Sequence, residues 1–196
     1  MRSTVDAACA IDSDGVVFHI GSHLGAGFDV GLERVVPAIA QVLDRCNDRT
    51  SLLMENSAGA GGTIGRSLDE LAVIFDALDR HERLGICLDS CHLFVSGIDV
   101  TDPSALDSLL DDLDTRIGLD RLRLLHANDA KAALGSNRDR HDNIGDGLMG
   151  EGLGVFLAHP KLQGLPVVLE VPGADGHGPN AEEIRKLREL HARASA

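Results

Sequence analysis

The sequence predicts an α/β fold: an incomplete parallel (β/α) barrel of the TIM type with about five βα units. Five short apolar runs, each ending at a polar residue, predict its strands, at positions 16–19, 52–55, 85–89, 122–126 and 167–170. Their last residues are 36, 34, 37 and 44 positions apart, which leaves room for a strand and a crossover helix each time. The runs are almost continuously apolar, as in strands buried on both faces of a parallel sheet.

Amphipathic helices are predicted between these runs, which is the alternation that a parallel sheet requires. A capping box at Ser67 and Glu70 begins one helix, Asp102 begins another, and Asn180 caps the last. The helix before the second run contains Pro37, which a helix tolerates only near its first turns. We therefore expect Pro37 to lie close to the start of that helix.

The composition indicates one globular domain covering residues 1–196. The 43% of hydrophobic residues is too high for a disordered chain, and no apolar stretch approaches the ~20 residues of a membrane helix. No signal-peptide pattern opens the sequence, so we expect a cytoplasmic protein without a membrane partner. The net charge of −13 argues against a generic nucleic-acid binder, unless bound metal ions cancel the charge of the carboxylates.

All five predicted strands end in a side chain that can bind a metal ion, and these are His19, Glu55, Asp89, His126 and Glu170. In a parallel barrel the carboxyl ends of the strands meet on the face where active sites lie. Carboxylates and imidazoles crowded there are costly to bury unless cations neutralise them. The mixture of oxygen and nitrogen donors suits zinc, or else manganese or iron.

Three further candidate ligands follow these strand ends. His92 lies three residues after Asp89, and both Asp139 and His141 lie in the loop after His126. In an extended segment residues i and i+2 point the same way, so Asp139 and His141 could bind one ion together with His92. A solvated turn explains Asp139 and His141 equally well when they are considered alone.

The glycine-rich segment 55–65 does not match a dinucleotide-binding loop, because Ile64 stands where the last glycine of that pattern is needed. We expect a flexible loop that lines the site and contacts phosphate through backbone amides. The four cysteines show no C-x-x-C spacing and are interpreted as small buried hydrophobic residues.

These motifs resemble the endonuclease IV family of apurinic/apyrimidinic endonucleases. The similar segments are 17–23, 54–59, 87–92, 126–131, 135–141 and 168–170, in the same order and spacing over nearly the whole chain. The Asp-Ser-Cys-His and Asp-Arg-His blocks are the most specific of them. The resemblance implies a (β/α)₈ barrel with three zinc ions, which cleaves double-stranded DNA 5′ to an abasic site in base excision repair.

The resemblance also implies a role for each residue. Glu55 would bridge the first and second zinc ions, and His19 would bind the first. The second ion would be completed by Asp89, His126 and Glu170, and the third would be held by His92, Asp139 and His141. Glu55 and Glu170 would be the catalytic carboxylates, with Glu55 orienting the nucleophile and taking its proton. The DNA phosphates would be contacted by Lys131, Arg138 and Arg140.

The sequence departs from the family at its beginning. The family's first units supply one more zinc-binding histidine and loops that penetrate the duplex, and a complete barrel typically has about 250 residues. Eight of the nine expected ligands therefore have a counterpart here. Residues 5–10 read as the end of a helix before the first strand, so we expect a truncated form of a longer chain. The alternative is self-association, since an open barrel exposes strand edges and apolar faces.

Two other functions stay open on the sequence alone. A sugar isomerase or epimerase of the xylose isomerase-like barrels would share the fold, and it would typically bind one or two divalent ions. Such an enzyme would not need the group formed by His92, Asp139 and His141. A non-catalytic remnant would bind little or no metal. Metal content separates these cases, because the nuclease is expected to bind two or three zinc ions.

Overall fold

The computed structural model describes residues 1–196 and contains a five-stranded parallel sheet that curls into part of a barrel. The strands are β1 (Gly15–His19), β2 (Ser51–Glu55), β3 (Leu84–Asp89), β4 (Leu122–His126), β5 (Asp129–Ala130), β6 (His141–Asp142) and β7 (Val167–Val168). The sheet has the order β1-β2-β3-β4-β7, and β5 and β6 form a separate antiparallel pair. The predicted fold class is confirmed.

Seven α-helices connect or follow these strands. They are α1 (Arg2–Ala10), α2 (Phe28–Leu43), α3 (Leu68–Ala77), α4 (Ser90–Ser96), α5 (Pro103–Arg116), α6 (Leu153–Ala158) and α7 (Ala181–Ala194). The predicted caps are present: the side chains of Ser67, Asp102 and Asn180 each accept hydrogen bonds from backbone N–H groups of the following first turn. None of the helices is long and apolar enough to cross a membrane.

The prediction for Pro37 is wrong, because α2 already begins at Phe28 and places this proline in the helix interior. A proline there leaves the carbonyl of Glu33 without its helical donor. Both residues face solvent, where water can hydrogen-bond to the freed carbonyl. The opposite face of α2 is anchored by buried residues, including Ile39 and Val42, which stabilise the helix despite the lost bond.

The buried side chain of Leu53 lies over glycines of both neighbouring strands. A Cβ atom at Gly85 would come within 2.8 Å of Leu53 Cδ2, and one at Gly15 within 3.2 Å of Cδ1.

The last strand differs from the prediction of burial on both faces, since Val167 and Val168 are 40% and 42% exposed. β7 is an edge strand, and no further strand pairs with its outer side. Its exposed edge is the feature that self-association would cover.

The segment that follows β6 is held by one buried carboxylate. Asp129 is fully buried and accepts five backbone hydrogen bonds of 2.8 to 3.1 Å, from Ala130, Gly145, Gly147, Met149 and Gly150. This glycine-rich segment has few side chains to pack, so the carboxylate replaces the contacts that a core would supply. Asp129 lies in β5, whose next residue Ala130 pairs with His141, so the Asp129 carboxylate also keeps β6 in place.

We expect Asp129→Ala to destabilise the protein by more than about 2 kcal/mol, since it leaves several N–H groups without their charged acceptor. Urea unfolding of both proteins measures this loss. Asp146→Ala is the matched control: Asp146 lies in the same segment but forms only a half-exposed ion pair with Lys186, and its loss should cost less than about 1 kcal/mol. Equal losses for the two variants would contradict the role of Asp129.

Candidate metal centre

The structure brings all eight candidate ligands together at the carboxyl end of the sheet. Four of them are the last residues of β1 to β4, and Glu170 lies two positions after β7. His92 lies in the first turn of α4, and His141 begins β6. Their ligand atoms form overlapping groups within 4.8 Å: His19–Glu55–His92, Glu55–Asp89–His126–Glu170, Asp89–His92–His141 and Cys91–Asp139–His141.

Glu55 lies at the centre of the cluster and is only 3% exposed. Its Oε1 lies 3.0 Å from Nδ1 of His126, and its Oε2 lies 3.1 Å from Nε2 of His19. Burial alone would raise the pKa of Glu55, but the hydrogen bonds from His126 and His19 outweigh it and lower the pKa to about 2. The carboxylate is therefore ionised at neutral pH, and each of its oxygens faces a different imidazole.

Three carboxylates converge on one imidazole in the second group. Nδ1 of His126 lies 3.0 Å from Glu55 Oε1, 3.0 Å from Glu170 Oε2 and 3.8 Å from Asp89 Oδ2. Burial lowers the pKa of His126, but hydrogen bonds to Cys87 and to these carboxylates raise it well above its ordinary value. Burial raises the pKa of Asp89. One imidazolium cannot balance three carboxylates, two of which are buried, so this group has the charge and the donor atoms for a cation.

The imidazoles of His92 and His141 are oriented as metal ligands. Nδ1 of His92 donates to the carbonyl of Asn56 at 2.9 Å, and Nδ1 of His141 donates to the carbonyl of Glu170 at 3.3 Å. The Nε2 atoms of both rings are buried without a hydrogen-bond partner. Each lies 3.3 Å from a different oxygen of Asp139. A proton on Nδ1 leaves the Nε2 lone pair free, which is the tautomer that binds metal ions, so these residues fit one.

His92 owes its position to a short helix that was not predicted from the sequence. α4 starts directly after β3, and the Asp89 carboxylate caps it by accepting the backbone N–H of His92 at 2.7 Å. Aspartate is among the best N-cap residues, so Asp89 ends the strand and begins the helix at one point. The Asp-x-x-His spacing was the available signal, because it places the histidine in the first turn.

Cys91 lies closer to the centre than its interpretation as a packing residue implied. It is buried, and its Sγ lies in one group with Asp139 and His141. Burial raises the pKa of the Cys91 thiol, which keeps it protonated and disfavours its use as a thiolate ligand. All four cysteines are free, and Cys9 and Cys46 are only half-buried.

Two buried asparagines at the centre were missed by the sequence reasoning. Asn56 directly follows Glu55 and accepts the backbone N–H of Asp89 at 2.7 Å. Asn128 lies two residues after His126 and contacts Asp89 at 2.6 Å. The signal that could have identified them is a polar amide next to a ligand at a buried strand end, where its hydrogen bonds must be made inside the protein.

The three predicted phosphate-contacting residues lie outside the cluster, on the exposed loop between β5 and β6. Lys131 has its ammonium 3.6 Å from the Asp142 carboxylate, whereas Arg138 and Arg140 form no ion pair. This loop meets the glycine-rich loop, because Asn137 Oδ1 occupies the space that a Cβ atom at Gly59 would fill. The two loops therefore adjoin at one border of the metal centre.

Known proteins of two kinds are similar to this chain. The family model described as xylose isomerase-like TIM barrel matches residues 1–192. A probable endonuclease 4 of Halothermothrix orenii is 41% identical over 179 residues, which cover 91% of this chain and 64% of that protein. Endonuclease IV from Thermus thermophilus has a crystal structure that matches with a TM-score of 0.78 at 30% identity, over 96% of this chain and 65% of that one. A D-tagatose 3-epimerase-like protein matches with a TM-score of 0.68 at 18% identity, over 98% of this chain and 66% of that one, and so shares the fold.

The chain spans less than two thirds of the length of these relatives. The resemblance to the endonuclease IV family that the motifs indicated is confirmed by the two endonuclease matches. The chain belongs to the xylose isomerase-like TIM barrel family, and within that family it is similar to the endonuclease 4 proteins.

Proposed function

We propose that this chain carries the metal centre of a zinc-dependent apurinic/apyrimidinic endonuclease, a hydrolase that cleaves the DNA backbone 5′ to an abasic site in base excision repair. The observation that carries the proposal is the pair of buried Nε2 atoms of His92 and His141, which both face the Asp139 carboxylate inside a cluster of eight candidate ligands. The similarity to probable endonuclease 4 proteins supports the substrate class.

The ligand groups support a division of the centre among three ions. One ion would be held by Glu55, Asp89, His126 and Glu170. A second would be held by His92, Asp139 and His141, since both imidazoles lie 3.3 Å from the Asp139 carboxylate. His19 and Glu55 would hold part of a third, and His92 also lies within reach of that group. Nitrogen and carboxylate donors of this kind suit zinc. When bound, the ions would supply Lewis-acid stabilisation of the negative charge that develops on the phosphate.

The protein's own residues would bind and orient the substrate around these ions. Glu55 is ionised and buried, so it can accept a hydrogen bond from an attacking water and hold that water in place. The Glu170 side chain is 46% exposed, which makes it accessible to a bound phosphate group as the second catalytic carboxylate. Lys131, Arg138 and Arg140 would contact the DNA phosphates on either side of the lesion.

The strongly negative charge of the chain is compatible with this substrate. DNA binding requires positive charge near the backbone phosphates. The divalent ions and the basic loop would provide it locally, at the carboxyl end of the sheet, although the net charge of the whole chain is −13.

We expect the purified chain to bind two or three zinc ions and to unfold at a lower temperature after treatment with a chelator. His92→Ala and His141→Ala should each lower the zinc content by about one, because one ion needs both imidazoles. Metal analysis by mass spectrometry measures the content. His159→Ala is the control, since His159 contacts Asp107 away from the centre. An unchanged zinc content in both variants would refute the zinc site formed by His92, Asp139 and His141. A single magnesium or manganese ion bound to the unchanged chain would favour an isomerase.

We expect the zinc-loaded chain to cleave a DNA duplex that contains one abasic site, at the phosphodiester 5′ to that site. A chelator should stop the reaction. Glu55→Gln should reduce incision by about 100-fold or more, because the neutral amide lacks the negative charge that orients the attacking water. Gel analysis of the labelled strand measures incision, with an undamaged duplex as the substrate control. Glu151→Gln, at a side chain that is 87% exposed and outside the centre, should retain activity. Full activity of Glu55→Gln would remove Glu55 from the mechanism, and a zinc-loaded chain that cleaves nothing would indicate a non-catalytic remnant.

A further inference from the structure

The Asn128 side chain joins two ligand-bearing segments that make no strand pair with each other. Asn128 is fully buried. Its Nδ2 donates to Oδ2 of Asp89 at 2.6 Å, and its Oδ1 accepts the backbone N–H of Glu170 at 2.8 Å. Its own backbone N–H donates to Oγ of Ser90 at 2.9 Å. One amide therefore connects the end of β3 to the segment after β7.

Glu170 needs such a connection because the sheet does not hold it. β7 has only two residues, and its last paired residue is Val168, opposite His126. Glu170 lies beyond this pair, so the hydrogen bond to Asn128 fixes its backbone where the ladder has ended. The carbonyl of Glu170 in turn accepts Nδ1 of His141 at 3.3 Å, which extends the connection to the neighbouring ligand group.

The same amide restricts the rotation of the Asp89 carboxylate. Oδ1 of Asp89 accepts the backbone N–H of His92 at 2.7 Å, and Oδ2 accepts Nδ2 of Asn128. With one fixed donor on each oxygen, the plane of the carboxylate is set. Oδ2 then faces Nδ1 of His126 at 3.8 Å, on the side where Glu55 and Glu170 also converge.

We propose that Asn128 is a positioning residue that sets the gap between the Asp89 and Glu170 carboxylates for the ion held with Glu55 and His126. This inference rests on the metal centre proposed above and adds a residue outside the eight ligands. Hydrogen-bond partners that orient metal ligands typically change metal affinity by 10- to 100-fold when they are removed. A residue that only ties two segments together would lower stability and leave the affinity of the folded protein unchanged.

Asn128→Ala and Asn128→Ser test this distinction by zinc titration against a competing chelator, together with urea unfolding of the metal-free proteins. We expect the affinity of one zinc site to fall roughly 10- to 100-fold in both variants. The zinc bound by His92, Asp139 and His141 should be retained. The serine hydroxyl is too short to reach both partners, yet it keeps a small polar group in the buried position, so it decides the result if the alanine variant does not fold.

Asn47→Ala is the matched control at the opposite end of the sheet. The side chain of Asn47 also accepts backbone N–H groups, from Arg49 at 3.0 Å and Thr50 at 2.8 Å, just before β2. Its loss should lower stability without altering zinc affinity. Folded Asn128 variants with wild-type zinc affinity would overturn the positioning role and leave the proposed function standing. A wild-type chain that binds no zinc would overturn the metal centre itself, and this inference with it.

Discussion

Crowding of ionisable side chains at one end of a parallel sheet is the constraint on which the rest of this structure depends. The register pairs His19 with Glu55 and Asp89 with His126, so imidazoles and carboxylates face one another along the sheet edge. This pairing relieves only part of the repulsion, because three carboxylates still converge on one imidazole. Bound cations would remove the remainder, which makes metal binding and folding stability two aspects of one electrostatic problem.

The ligands of the centre are held in place in two different ways, by the main sheet or by the segments outside it. Those at the ends of β2, β3 and β4 are held by the hydrogen-bond ladder of the sheet. Asp139 comes from a loop and His141 from the short strand β6, and their positions depend on the buried Asp129 carboxylate and on the pairing of β5 with β6. The amides of Asn56 and Asn128 connect the strand ends to one another and to the Glu170 segment. Binding sites of high affinity need this supporting layer, because ligands that move lose the geometry that selects the ion.

The edges of the sheet divide the centre into a supported part and an exposed part. The groups built on Asp89, His126 and His92 lie among buried side chains. His19 lies on the edge strand β1, and its side chain is 59% exposed. Its group accordingly has fewer neighbours to hold an ion.

The sequence by itself determined the order of the five sheet strands, the longer helices between them, three helix caps and the list of candidate ligands, because these follow from short-range patterns. A polar residue that ends an apolar run, such as Glu55, can be read from its immediate neighbours. Only the tertiary structure decided which nitrogen of His92 faces the centre, which amides orient Asp89, and why Pro37 is tolerated inside α2. Those features depend on contacts between residues more than 30 positions apart, or on which helix face meets solvent. Neighbouring residues in the sequence do not reveal such contacts, because the partners come together only in the folded chain.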